Sequence, residues 1–449
     1  MSTTATPGVD GAEPPSALTL PALVEGTEFV GEFKNSGYRE QPQLVCLPNR
    51  QLVRLPPLLF LVAKALHEHR HLAGTDVETA LDRVAATVSE QAGARLTGEQ
   101  VVYLVDRKLA PLGVTTYSDG TSPPLVRADP FLALRFKLAV FPESVTWFIG
   151  GVFGWLFRPV MLILAVAAIL VSEAWLLTTR SLVNALQHVI YNPESILLIM
   201  ALGVASCAFH EIGHATACRY GGVRPGVMGC GIYLVWPAFY TDITESYRLG
   251  RGGRLRADLA GVYFNGIFIV ALTLLYLRTG YEPLLVAVLY VNIEIIQQLL
   301  PTLRFDGYYI MSDLVGVPDL FKYIGPILRR AVLRRPADER LQDLKRWPQL
   351  FVTLWVLTII PVLLFQLGLI TMQVPNLVAK DWWMMQRLWT AASAGAGALD
   401  LITSGLQILL LALPLVGLAL IFFQLGRLLV RLAVRYIQGP ATEPVPDAR

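Results

Sequence analysis

The sequence predicts a mostly α, polytopic membrane protein with about six transmembrane helices and a small α+β, winged-helix-like domain at its amino-terminal end. Three observations carry that expectation. Of 449 residues, 54% are hydrophobic and only 16% are charged, with a mean hydropathy of +0.51, whereas soluble domains carry roughly 25% charged residues. The apolar residues gather in long runs after Arg158, and Lys and Arg fall in the loops between those runs. An ordinary soluble enzyme is excluded.

Residues 1–25 are rich in Ala, Pro, Thr and Ser and lack the basic start and apolar core of a secretory signal, so a disordered cytoplasmic tail is expected. From Glu28 onward the runs QLVCL and QLVRL flank a Pro-Asn-Arg turn and read as a hairpin. Leu58 to His69 is apolar at helical spacing, Thr75 and Glu78 have capping-box spacing before a second helix, and Thr97 and Gln100 have it before a third. Together they outline a domain over residues 26–115. Residues 116–143, with Pro-Pro and Asp-Pro, read as a linker.

A membrane-embedded domain is expected over 144–430, with a cytoplasmic tail at 431–449. Six runs approach the ~20 residues needed to cross a bilayer: 159–179, 195–218, 258–277, 284–303, 349–372 and 404–426. Loops 219–257 and 304–347 hold six and nine Lys/Arg, while loops 180–194, 278–283 and 373–403 hold one, one and two. The positive-inside rule therefore puts both termini in the cytoplasm. Ser144 to Phe157 is apolar but short, and suits an interfacial or re-entrant helix. The net charge of +3 and the absence of basic clusters with interleaved aromatics argue against nucleic acid as a partner. Cys46, Cys207, Cys218 and Cys230 are too scattered for a disulfide framework or a zinc knuckle, so reduced thiols are expected.

The second run contains His210-Glu211-Ile212-Gly213-His214. On a helix, positions four apart differ by about 40° around the axis, so both imidazoles can reach one metal ion. Zinc lowers the pKa of a coordinated water towards ~7, and Glu211 is placed to take a proton as that water attacks a peptide carbonyl. The same pattern occurs as His67-Glu68-His69-Arg70-His71, but there it ends a helix of the small domain just before Gly74. Histidines at that end suit the helix dipole and need no metal. The membrane copy differs, because a charged Glu211 behind LLIMALGVASCAF costs at least ~2.5 kcal/mol without a compensating partner.

A catalytic zinc takes three protein ligands. Spans two and four run in the same direction in the expected topology, which brings Asp306 to the depth of His210 and His214. Cys207 and Cys218 share the histidine stripe and are rival ligands; Asp242 and Glu245 are others. Glu294, with Asn292, Gln297 and Gln298, makes span four unusually polar, through function or through hydrogen bonds between spans.

These residues resemble the site-2 protease type of intramembrane zinc metalloprotease over about residues 145–372. HEIGH is similar to its zinc-binding HExxH, Gly261 and Asn265 in AGVYFNG resemble its Gly-x-x-x-Asn span, and QLLPTLRFDGYY resembles its Asn-x-x-Pro-x-x-x-Leu-Asp-Gly element. The resemblance implies His210, His214 and Asp306 as Zn2+ ligands, Glu211 as catalytic base, and Gly261 and Asn265 in positioning the substrate strand or the oxyanion. Gln298, Phe305 and Val262 depart from the family pattern and bear on substrate positioning. WPAFYTDITESYRL and the DGYY ending look closest to the bacterial peptide zinc metalloprotease branch. Residues 28–115 are similar to PqqD-like domains, which bind the leader segments of ribosomally made peptides as an added strand.

The sequence thus leads to the expectation of a zinc endopeptidase in a bacterial cell membrane. Its substrate would be the precursor of a ribosomally synthesised, modified peptide, cut near the cytoplasmic side in a water-filled pocket among the spans. Two competitors stand beside it: a site-2-type protease of a membrane-anchored regulator, and a transporter or immunity protein whose histidines only bridge helices. No repeated half marks a transporter.

Overall fold

The computed structural model describes residues 18–73, 76–125, 134–178, 181–191, 194–233, 236–334, 336, 338–393 and 398–438. Three strands come first, β1 (Glu28–Glu32), β2 (Gln43–Cys46) and β3 (Leu52–Leu55), then helices α1 (Pro57–Glu68), α2 (Val77–Ala92) and α3 (Gly98–Leu104). Strand β4 (Leu134–Phe141) leads to α4 (Glu143–Val152), α5 (Pro159–Thr178), α6 (Ser181–Tyr191) and α7 (Glu194–Tyr220). Strands β5 (Met228–Tyr233) and β6 (Trp236–Thr241) precede α8 (Arg251–Thr279), α9 (Glu282–Leu299), α10 (Asp306–Val315), α11 (Ile324–Leu333) and α12 (Glu339–Gln342). Helices α13 (Arg346–Ser393) and α14 (Ala398–Gln438) follow. The chain divides into two compact units, one of Met1–Pro130, Thr244–Leu255 and Ser312–Thr353, the other of Phe131–Ile243, Arg256–Met311 and Leu354–Arg449.

In the first unit β2 and β3 form the expected hairpin, pairing Gln43 with Leu55 through Cys46 with Leu52. The turn closes with Leu47 N–H on the Gln51 carbonyl at 2.9 Å, and Arg50 takes a left-handed φ of 63°. Strand β1 adds antiparallel to β2 with a bulge between Phe29 and Gly31, where φ is 108°. Apolar residues of both periods meet in one core: Val45 and Leu55 from the strands, Val62 and Leu66 from α1, and Leu81, Val84 and Val88 from α2. Helix α1 starts with Pro57 at its first position, where the missing N–H costs nothing. Helix α3 carries the expected capping box, with Thr97 and Gln100 bonding each other's backbone N–H. At α2 the cap is Asp76, whose carboxylate accepts from Thr79 N–H at 3.1 Å; Thr75 lies outside the described residues.

Residues 18–25, within the stretch expected as a tail, run along 114–118: Val24 N–H reaches the Val114 carbonyl at 3.1 Å and Thr19 N–H that of Ser118 at 2.8 Å. The loop after β1 is held by segments hundreds of residues away. Arg39 N–H bonds the Asp343 carbonyl, Lys345 N–H that of Gly37, and Gly37 N–H that of Gly316. Arg254, wholly buried, pairs with Asp313 at 2.9 Å, donates to the Lys34 carbonyl at 3.1 Å and lies over the Phe33 ring.

The second unit holds most of the length of the long apolar helices, with the first residues of α8 and α13 counted in the first unit. Among the described residues five helices are long and apolar enough to cross a bilayer: α5, Ser195–Tyr220 of α7, α8, α9, and Arg346–Thr390 of α13. The sixth expected run, 404–426, falls within the 41-residue α14, where the described residues include the apolar stretch Leu415–Gln424. Two expected loops are in fact helical. Helix α6 occupies most of 180–194, and α13 continues through the expected break at 372 to Ser393. Its 48 residues extend roughly 70 Å at 1.5 Å each, and Pro361 and Pro375 lie inside it. The segment expected to be interfacial forms the ten-residue α4 and a 3-10 turn, Gly154–Phe157.

Leu176, Ile199, Ile269, Leu285, Val288 and Val291 from α5, α7, α8 and α9 make a shared apolar core. Buried Ser172 donates to Thr273 across α5 and α8 at 2.9 Å. Helices α7 and α8 approach closely at Gly213, where a side chain would overlap the Ala260 carbonyl. Strands β4, β5 and β6 form an antiparallel sheet in that order.

Candidate metal centre

His210 and His214 sit one turn apart on α7, 3% and 5% exposed. Helix α9 stops at the Leu300-Pro301 step, the chain turns, and Asp306 opens α10. An acid in that first turn faces the positive end of the helix dipole. Gly307 makes the turn feasible, because any Cβ there would overlap the Leu299 carbonyl. Asp306 Oδ2 thereby comes to 3.0 Å from His210 Nε2 and 3.4 Å from His214 Nε2. The two Nε2 atoms are 3.1 Å apart. One ligand atom from each of the three residues lies within 4.8 Å of the others, a grouping that could hold a metal ion.

The donor set fits a cation. His214 Nδ1 donates to the Ala257 carbonyl at 2.7 Å, so in the neutral ring its Nε2 is a lone pair. That lone pair points at a second imidazole nitrogen and at a carboxylate oxygen, which is buried and has no well-formed hydrogen bond. Three convergent acceptors repel unless a positive charge lies among them. A tetrahedral zinc with ligands at 2.0–2.1 Å separates those ligands by about 3.3 Å, close to the three distances observed.

Neighbouring residues shape the centre. Gly261 on α8 backs onto the His210 ring, and a methyl group there would overlap the ring itself. Asn265, one turn further along α8, is fully buried, and neither its amide oxygen nor its nitrogen has a partner among the described residues. Glu211 is half-buried, and its backbone carbonyl accepts from Thr241 Oγ1 at the end of β6 at 3.1 Å. The charge of Glu211 also acts on His214. Thr241 and the Ala257 carbonyl carry no sequence signal, because each acts through backbone proximity created by the fold.

The rival ligands go elsewhere. Cys207 Sγ donates to Glu294 Oε1 at 2.8 Å, and Glu245 pairs with Arg248 at 2.6 Å. Cys218 and Asp242 are buried outside the three-residue group. In the other HExxH copy, α1 ends at Glu68, His67 Nε2 bonds Arg70 at 2.9 Å, and His71 Nδ1 donates to the Glu68 carbonyl at 3.2 Å. His67 and His71 are thus satisfied at their own helix end, and His69 Nε2 bonds Thr87 Oγ1 of α2 at 2.9 Å.

The fold and site define a mostly helical membrane protein with a buried His-His-Asp cluster. Among known proteins, 142 residues of the chain are 26% identical to one from Bacillus subtilis (strain 168) named "Putative peptide zinc metalloprotease protein YydH". The match covers 31% of this chain and 56% of that protein, so the chain spans about half the length of the curated relative it matches. It supports a zinc metalloprotease. No protein-family model matches the chain, and no solved structure does.

Proposed function

We propose that the chain is a membrane-embedded zinc endopeptidase of the site-2 protease type, which matures ribosomally synthesised peptides by removing a leader. The observation that carries this reading is the convergence of His210, His214 and Asp306, with Glu211 beside His210 on α7. His210, His214 and Asp306 would hold a zinc ion, which when bound would supply Lewis acidity to water and to the scissile carbonyl. Glu211 takes the proton from the attacking water oxygen as the new carbon–oxygen bond forms. It then gives the proton to the leaving nitrogen as the carbon–nitrogen bond breaks. Asn265 supplies an amide donor to the carbonyl oxygen as charge develops on it, a role that answers the unpartnered state of its buried amide. Thr241 anchors the backbone at Glu211, and β6, an outer strand of its sheet, offers backbone groups to an extended substrate.

In this reading residues 26–115 deliver the substrate, with the leader added as a strand at the edge of the β1-β2-β3 sheet. Both termini face the cytoplasm of the bacterial cell.

The test is the zinc content of the detergent-purified chain. About one zinc per polypeptide is expected, lost in His210→Ala/His214→Ala and retained in His67→Ala/His71→Ala. Zinc that is absent from the wild type, or that follows His67 and His71, would overturn the reading and favour a transporter. Delivery is tested separately: a precursor stripped of its leader should be cut far more slowly than the intact one, and equal rates would end that role.

A further inference from the structure

The two histidines of the centre are supported unequally. His214 Nδ1 donates to the Ala257 carbonyl, whereas His210 Nδ1 is buried and has no hydrogen-bond partner among the described residues. A metal-ligating imidazole normally passes its second N–H to a carboxylate or carbonyl, which fixes the ring and its tautomer.

A candidate acceptor stands on α9. Gly203 of α7 packs against Tyr290, where a Cβ would come within 2.6 Å of the ring, and one turn on Cys207 Sγ donates to Glu294 Oε1 at 2.8 Å. Both helices advance four residues between these contacts, so they run side by side in the same direction. Cys207 and His210 are three apart and share a helix face. The Glu294 carboxylate thus faces the stripe that carries His210, and the charges of the two groups act on each other. Glu294 Oε2 is itself buried and makes no well-formed hydrogen bond among the described residues, with the Ser206 hydroxyl of α7 its other neighbouring donor. A buried Nδ1 without a partner among the described residues and a carboxylate oxygen with spare accepting capacity therefore lie on facing helices, and each carries a desolvation cost that pairing reduces.

We infer that Glu294 is a positioning residue of the metal centre: its Oε2 accepts the Nδ1–H of His210, directly or through one water, while the Cys207 thiol steadies Oε1. The inference rests on the metal-binding reading above. It makes His210 the imidazole held by a carboxylate and His214 the imidazole held by a backbone carbonyl.

The experiment compares full-length wild type with Glu294→Ala and Glu294→Gln, using zinc affinity by chelator competition, the visible absorption of the Co2+-loaded protein, and thermal stability without metal. Glu294→Ala should weaken zinc binding by about 10- to 100-fold and shift the Co2+ spectrum. Glu294→Gln, whose amide oxygen still accepts Nδ1–H, should recover part of the affinity. Wild-type zinc affinity and an unchanged Co2+ spectrum in Glu294→Ala would overturn the inference. So would a matching loss of metal-free stability in both variants with the spectrum unmoved, which is the mark of a helix-packing role. Should Glu294→Ala fail to fold, Glu294→Gln decides alone: an unshifted spectrum with wild-type affinity overturns the inference. Zinc that binds the wild type without dependence on His210 would instead sink the metal-binding reading itself.

Discussion

Glu211 and His210 are chain neighbours to which the proposed mechanism gives separable duties, and substitution can tell them apart. In the proposed mechanism Glu211→Ala removes the proton carrier and leaves the ligands in place, so peptide hydrolysis should vanish while zinc per chain stays at the wild-type value. Turnover in that variant would contradict the mechanism. His210→Ala or Asp306→Ala should instead weaken zinc binding itself, read by chelator competition. Gly261 supplies a subtler test, since its lack of a side chain is what lets the His210 ring rest against α8. Gly261→Ala should displace that ring, lower zinc affinity and destabilise the fold by roughly 1–3 kcal/mol, the range for overpacking a dense site. Calorimetry with and without zinc separates the two effects.

At the scale of elements, helix ends show how much local sequence can say. Thr97 and Gln100 form their capping box as the spacing requires, because both bonds are made within four residues. At α2, Asp76 is the cap, bonded to both the backbone and the hydroxyl of Thr79. These bonds favour the ionised carboxylate and hold Asp76 below the usual aspartate range. A depressed folded-state pKa contributes stability above the unfolded value of ~3.9, and that contribution is lost as pH falls through the folded value. Asp76→Ala should therefore lower the thermal midpoint at neutral pH, and the gap from wild type should shrink in acid. An equal gap at all pH values would rule out the capping account.

At the scale of the whole molecule, the first unit gathers three separated stretches of chain, and Arg254 and Asp313 meet inside it. Both are buried, so removing one partner strands the other. Asp313→Ala should cost about 3–5 kcal/mol, whereas a double Arg254→Met/Asp313→Leu replacement should recover much of it. Thermal unfolding of the two variants measures the difference. Additive losses in the double variant would show that the pair is not coupled.

Helical periodicity, apolar run length and the four-residue spacing of His210 and His214 were legible directly, because each depends on residues within a turn or a span of one another. The same local logic set the end of α1 at the decoy histidines, and left α6 and the extension of α13 unmarked, since both lie outside the apolar runs that mark a span, although Asn192-Pro193 follows the one and Gly395 and Gly397 follow the other. Asp306 entered only through topology and resemblance, 92 residues beyond His214, and its 3.0 Å approach to His210 depends on Gly307 allowing α10 to fold back on α9. The carbonyl that orients His214, the glycine that seats His210 and the carboxylate bonded to Cys207 are partners across helix interfaces. Side chains on different helices meet according to crossing geometry and close approach, which no spacing within one helix encodes.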